Sequence, residues 1–115
     1  MLQLIYKLAP AALWKEAEAA GIFSGAPIDL ADGFIHFSTA EQTRETAVKH
    51  FHGEPDLLLI VVDSDPLADA LRWEVSRGGQ LFPHLYRPLP LDVVRSVSPV
   101  PRRADGSHDF SGLLP

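Results

Sequence analysis

The sequence predicts a single α+β domain, and three observations carry that prediction. Helix-forming stretches lie in the first half of the 115 residues and strand-like runs dominate the second. One run, Leu57–Val62 (LLLIVV), is six apolar residues long and bounded by Asp56 and Asp63. So short and β-branched a run reads as a central strand covered on both faces. The order strand, helix, strand, helix, then several strands gives two small packed, mostly antiparallel sheets with two N-terminal helices.

Leu2–Leu8 (LQLIYKL) fits a first strand. Pro10 suits the first turn of a helix, where its missing N–H costs nothing. Ala11–Ala20 follows with Leu13, Trp14, Ala17 and Glu18 at helical spacing, and Gly21 stops it. Ile22–Ala31 holds Gly25 and Pro27 without a clean period, which predicts a surface loop. Asp32-Gly33 turns the chain into the strand Phe34–Phe37. Ser38 with Glu41, or Thr39 with Gln42, could then form a capping box for a second helix running to about Phe51. Ala40, Ala47, Val48 and Phe51 are its candidate core residues, and Gly53 and Pro55 end it.

Asp63–Asp69 reads as turn and short helix. Leu71–Glu74, Leu81–Tyr86 and Val93–Val97 are the remaining strands, with a turn at Gly78-Gly79. Pro83, Pro88 and Pro90 are expected at edges or in loops, because each removes a ladder donor. Residues 1–98 form the domain. Residues 99–115 lack any period and read as an externally draped tail with Phe110 or Leu113-Leu114 available for docking.

Composition narrows the function classes. Hydrophobic residues make up 46% and charged residues 22%, which is ordinary for a globular protein. A net charge of −5 does not favour a broad nucleic-acid surface. Zero cysteines exclude disulfides, cysteine-ligated zinc and a thiol nucleophile. No apolar run approaches the roughly 20 residues that span a bilayer, and Met1–Leu8 lacks signal-peptide character, so no membrane partner and a cytoplasmic location are expected.

Two polar islands hold most of the side chains able to do chemistry, Asp32–Thr39 (DGFIHFST) and Leu71–Pro90 (LRWEVSRGGQLFPHLYRPLP). His36 lies mid-strand where an apolar residue is the default. Alternation puts it on one face with Phe34, while Ile35 and Phe37 take the other. It precedes a helix N-terminus, a site that favours anions. It is therefore either a phosphate or ribose ligand or a core histidine satisfied by a carbonyl, and the pattern does not choose. Arg72, Glu74 and Arg77 could clamp an anion while the carboxylate works on a hydroxyl, or could form a surface ion-pair strand. His84 and Tyr86 share a face and could stack a ring or line a core edge. His50 and His52, two apart on a helix end, do not face each other. No Walker, dinucleotide, HExxH or GxSxG motif occurs.

IYK near the start, LW in the first helix, DGFIHFST, LLLIVVD and LRWEVSRGGQLFPHLYRPLP resemble the DUF 952 family over about Leu2–Val97. These are short bacterial proteins whose domain has no assigned function. A remoter resemblance is to the ADP-ribosyltransferase superfamily, particularly its RNA 2′-phosphotransferases. Ile5–Lys7 is similar to the opening strand of that superfamily, Ile35–Ser38 (IHFS) to its histidine strand, and Leu57–Asp63 to its apolar strand. His84 falls near the third motif, where the expected Glu is absent. Lys7 stands where the superfamily usually carries His or Arg.

This resemblance implies an ADP-ribosyltransferase-like fold with NAD, or a related small-molecule nucleotide, in a cleft. The implied chemistry is cleavage of the nicotinamide–ribose bond or transfer of ADP-ribose to an acceptor that the residues do not identify. On this reading Lys7, His36, Ser38, Thr39, Arg72, Arg77 and Tyr86 bind the cofactor, and His36, Glu74 and His84 form the catalytic group. A nucleotide-sensing or partner-binding module without turnover is the alternative. A metal site of His36, His84 and Glu74 is a third.

Overall fold

The computed structural model describes residues 3–115, apart from the Arg77 side chain. Its organising unit is an antiparallel three-stranded sheet in the order β1-β4-β8. Strand β1 is Leu4–Pro10, β4 is Leu57–Asp63 and β8 is Val94–Val100. The apolar run thus occupies the middle, as its composition predicts. Its side chains alternate between two cores. Leu58, Ile60 and Val62 join Ile5 and Ala9 on the inner face, and Leu57, Leu59 and Val61 join Tyr6 and Leu8 on the outer.

The outer face is covered by helix α3 (Ala40–His50) through Ala47, with Ala40 and Phe51 at its ends. Thr39 is its N-cap: its hydroxyl accepts the Gln42 N–H at 3.2 Å, and the Gln42 side chain accepts the Thr39 N–H at 3.0 Å. Of the two capping boxes the sequence allows, this is the one formed. Ser38 instead bridges to Tyr6 through both main-chain groups at 2.8 Å. Val48, expected in the core, is 64% exposed. The helix rotates Ala47 onto the sheet, and the next residue points about 100° away.

The inner face meets α1 (Ala11–Ala20) and a second three-stranded antiparallel sheet in the order β3-β6-β5. Here β3 is Ile35–His36, β5 is Leu71–Val75 and β6 is Leu81–Leu85. Ile35, Phe37 and Leu85 join Trp14, Phe23, Ile60 and Leu67 in this core. Gly78 and Gly79, both at positive φ, make the β5–β6 turn.

Several expectations need correcting. Ile22–Ala31 is not a loop: it contains β2 (Ile22–Phe23), paired with β7 (Leu89–Pro90), and a short helix α2 (Pro27–Asp32). Among the described residues there are accordingly three α-helices and a third, two-stranded sheet. Pro27 opens α2 at a position where no N–H is needed, and the Asp29 carboxylate accepts the Ala26 N–H at 2.7 Å. Pro83 lies in the central strand β6 rather than at an edge. Its carbonyl accepts the Phe37 N–H at 3.0 Å just where β3 ends, so the missing donor falls beyond the β3 ladder.

The last strand runs to Val100, three residues beyond its expected end. The segment after it docks on the outer face. Phe110 is 4% exposed in the outer core, and Leu113 and Leu114 pack beside it. His108, buried, hydrogen-bonds through Nε2 to the Glu54 carbonyl at 2.9 Å. No helix of the described residues is long and apolar enough to cross a membrane.

Phe110 therefore acts as a structural plug. Phe110→Ala is expected to lower the unfolding free energy by about 3 kcal/mol in a urea titration. Val48→Ala, at an exposed position, is expected to change it by less than about 0.5 kcal/mol.

Candidate functional site

Register brings the two polar islands together. In the β3–β6 ladder His36 lies opposite His84, and in the β6–β5 ladder His84 lies opposite Arg72. One face of this sheet therefore carries His36, His84, Arg72 and Glu74, because alternate residues share a face. The two imidazole centroids are 5.4 Å apart at 72°. Phe34 stacks on His84 with centroids 4.1 Å apart and also contacts His36 at 4.7 Å and Tyr86 at 5.2 Å. The Arg72 guanidinium lies 5.0 Å from the Tyr86 ring centroid, so a cation rims the aromatic group.

Each histidine is tied to a carboxylate through Nδ1. His36 meets Asp29 at 2.6 Å, and His84 meets Glu74 at 2.8 Å. An ionised carboxylate only accepts, so each Nδ1 carries the proton and Nε2 is the atom turned to other partners. For His36 that second nitrogen lies 2.9 Å from Asp32. Tyr86 donates its hydroxyl to the same Glu74 oxygen at 2.7 Å. That bond, then the one from His84, holds the Glu74 carboxyl below the usual glutamate range, and the Tyr86 hydroxyl is raised in return.

Asp29 was not anticipated as a site residue, and it is the most heavily bonded of the group. It is 2% exposed. Its oxygens accept from the Lys7 ammonium at 2.9 and 3.1 Å, from the Ala26 and His36 main-chain N–H groups, and from the His36 ring. Burial alone raises its pKa. The His36 bond, Lys7 and the two main-chain donors outweigh it and hold the carboxyl down at about 2. Lys7 is pulled the other way: burial pushes its ammonium down, opposed by Asp29. Gly25, at φ +124°, lies where a Cβ would sit 2.9 Å from the Asp29 Cβ, so a side chain there displaces the carboxylate.

Of the residues singled out from sequence, His36, His84, Glu74, Arg72 and Tyr86 come together on one face. Lys7 joins them from beneath. It is buried, and its ammonium is spent on Asp29 and on the His36 carbonyl at 2.9 Å. Ser38 and Thr39 do not join. The Ser38 hydroxyl bonds Thr46 at 3.1 Å, and Thr39 is used as the helix cap. The Arg77 side chain lies outside the described residues. Among the described residues no three His, Asp or Glu side chains converge to hold a metal ion. His36, His84 and Glu74 instead bond within separate His–carboxylate pairs. Sequence reasoning missed Asp29 and Asp32, both supplied by α2. The signal was present in Pro27 followed two residues later by Asp29, the pattern of a helix first turn.

A pocket of about 210 Å³ adjoins this face and is lined by Ser24, Asp29, Phe34, Tyr86 and Arg87 among others. It puts open volume beside the Phe34 and Tyr86 rings.

Removing the Asp29 charge strands the Lys7 ammonium in the interior. Asp29→Asn is expected to cost about 3 kcal/mol of unfolding free energy, and Asp29→Leu combined with Lys7→Met less than that. The folded Asp29 value lies below the unfolded value of 3.8. Its contribution, about 2 kcal/mol, is therefore full above pH ~4 and lost as pH falls toward 2. Urea titrations of wild type and Asp29→Asn across that range should converge at the acid end.

Comparison with known proteins gives a family and a fold. The family model described as "Protein of unknown function (DUF952)" matches residues 8–97. No curated protein matches the chain. The crystal structure of protein CC0527 from Caulobacter crescentus is 48% identical, with a TM-score of 0.91 over 95% of this chain and 96% of that one. The solution NMR structure of CC0527 has a TM-score of 0.85 at 48% identity, covering 96% of each chain. With its two long motifs folded onto one sheet face and the family model spanning that sheet, the chain belongs to the DUF952 family.

Proposed function

We propose that this sheet face binds NAD or a closely related nucleotide, in a cytoplasmic setting, within an ADP-ribosyltransferase-like domain. The observation that carries the reading is the pairing of His36 with His84. Two imidazoles, each oriented by a carboxylate, stand side by side under an aromatic ring with a guanidinium at the rim. Phe34 and Tyr86 offer stacking surface for a base or nicotinamide. Arg72 offers a bidentate phosphate contact. Glu74, with one oxygen already taken by His84 and Tyr86, has its second for a ribose hydroxyl. Ser38 and Thr39 drop out of the ligand set, and Lys7 acts through Asp29.

If the site turns NAD over, the nicotinamide–ribose C–N bond breaks with its electron pair leaving on nicotinamide. The acceptor oxygen then attacks the anomeric carbon and loses its proton to Nε2 of a histidine. Glu74 stabilises the positive sugar through its hydroxyl. The second reading, binding without turnover, draws on one specific observation. Glu74 is already bonded to His84 and Tyr86 and is not poised as a free base.

Calorimetric titration with NAD and ADP-ribose, with Trp73 fluorescence as a second signal, is expected to show binding at millimolar concentration or tighter. Arg72→Ala and Tyr86→Ala should each weaken it about tenfold, equivalent to about 1.4 kcal/mol. Absence of binding by either ligand at millimolar levels overturns the reading. Nicotinamide release that is lost in Glu74→Gln supports transfer; binding without release, unaltered by Glu74→Gln, supports the sensing module.

A further inference from the structure

Strand β5 is the outer strand of its sheet, and no strand covers its far side among the described residues. The pairing shows which main-chain groups face outward. Pro83 turns its carbonyl toward Phe37 in the β3 direction. Its opposite number in β5, Trp73, therefore turns its N–H and C=O away from β6. By alternation Leu71, Trp73 and Val75 all present their main-chain groups to the free side. Natural edges are commonly blunted by proline, a bulge or very short length. This one is a regular five-residue strand without proline.

Exposed apolar side chains gather on the same hairpin. Trp73 is 36% exposed, Val75 70% and Leu81 51%. Val75 and Leu81 are directly opposite in register, and Trp73 shares their face. On the other face Arg72 and Glu74 flank Trp73, so the strand reads apolar, plus, Trp, minus, apolar about its centre.

We propose that β5 pairs antiparallel with β5 of a second copy of this chain, centred on Trp73. In that register Leu71 of one protomer opposes Val75 of its partner, and the two Trp73 residues lie across the two-fold axis. Arg72 of each protomer then opposes Glu74 of the other. The charge pattern is what selects a second copy over an unrelated strand: rotation about Trp73 converts each charge into its complement. The pairing also joins the two sheets into one six-stranded sheet and covers the exposed Trp73 and Val75 side chains. Each site gains a guanidinium from the neighbouring protomer beside Glu74, on the face that carries His36 and His84.

Light scattering of the full chain is expected to give twice the 12.6 kDa chain mass at high micromolar concentration. Since the chain has no cysteine, Trp73→Cys should form an intermolecular disulfide under mild oxidation, because hydrogen-bonded opposite residues lie about 5.5 Å apart at Cα. Val75→Cys, which faces Leu71 rather than itself, should not. Arg72→Glu or Glu74→Arg alone should raise the dimer dissociation constant at least tenfold, and the two combined should restore it. Val75→Lys, which alters no residue of the candidate site, is the check if either charge variant fails to fold; it should give a folded monomer. A monomeric wild type at all concentrations overturns the proposal. So does a dimer that Trp73→Cys does not cross-link, or one indifferent to Val75→Lys.

Discussion

Asp29 stands at the junction of three pieces of chain, β1, the start of α2 and β3. Its carboxylate takes the Lys7 ammonium from β1, the Ala26 N–H that opens α2, and both the main chain and ring of His36 in β3. An isolated buried carboxylate is costly, and so is an isolated buried ammonium. Each therefore fixes the position of the other, and His36 is held by the result. The inner core supplies most of the packing free energy between the two three-stranded sheets, but it is non-directional. The Lys7–Asp29–His36 set adds direction, because it is satisfied in one registration of β1 against β3.

The same arrangement sets the electrostatics of the face. Asp29, Asp32 and Glu74 stand against Lys7 and Arg72, with two imidazoles between them. Such a surface does not draw in a polyanion by net charge alone. On the proposed reading, the localised phosphate charge, the apolar ring and the hydroxyl groups of the ligand each meet a different part of the face. The carboxylates keep both histidines oriented, which binding and proton transfer both require.

Much of this was legible in the chain. The LLLIVV run identified the central strand, because a strand buried on both faces needs no polar alternation. Alternation in FIHF grouped Phe34 with His36 on one face and Ile35 with Phe37 on the other, and the structure buries the second pair. The doubled capping pattern, Ser38 with Glu41 or Thr39 with Gln42, marked the start of α3, and the structure forms the second. What escaped notice was α2, six residues long and without the repeat that makes a helix visible. Its two carboxylates escaped with it, and they orient His36. Ser38 and Thr39 drew attention as polar residues beside a histidine, yet their hydroxyls serve the packing and start of α3. Pro83 misled because the rule against proline in central strands concerns donors, and here the ladder on that side had already ended. Membership of the DUF952 family, at 48% identity to CC0527, was legible from the two long motifs.

The docked segment around Phe110 bears on how the protein is made. Strand β8 and the docked segment after it leave the ribosome well after β4. Until they do, β4 lacks one neighbour and the outer core lacks Phe110. The β5–β6 hairpin is local and can form early, whereas the β1–β4–β8 sheet joins residues from both ends of the sequence. During synthesis the exposed β4 edge, the most apolar stretch of the chain, is therefore the surface most in need of protection from neighbouring nascent chains.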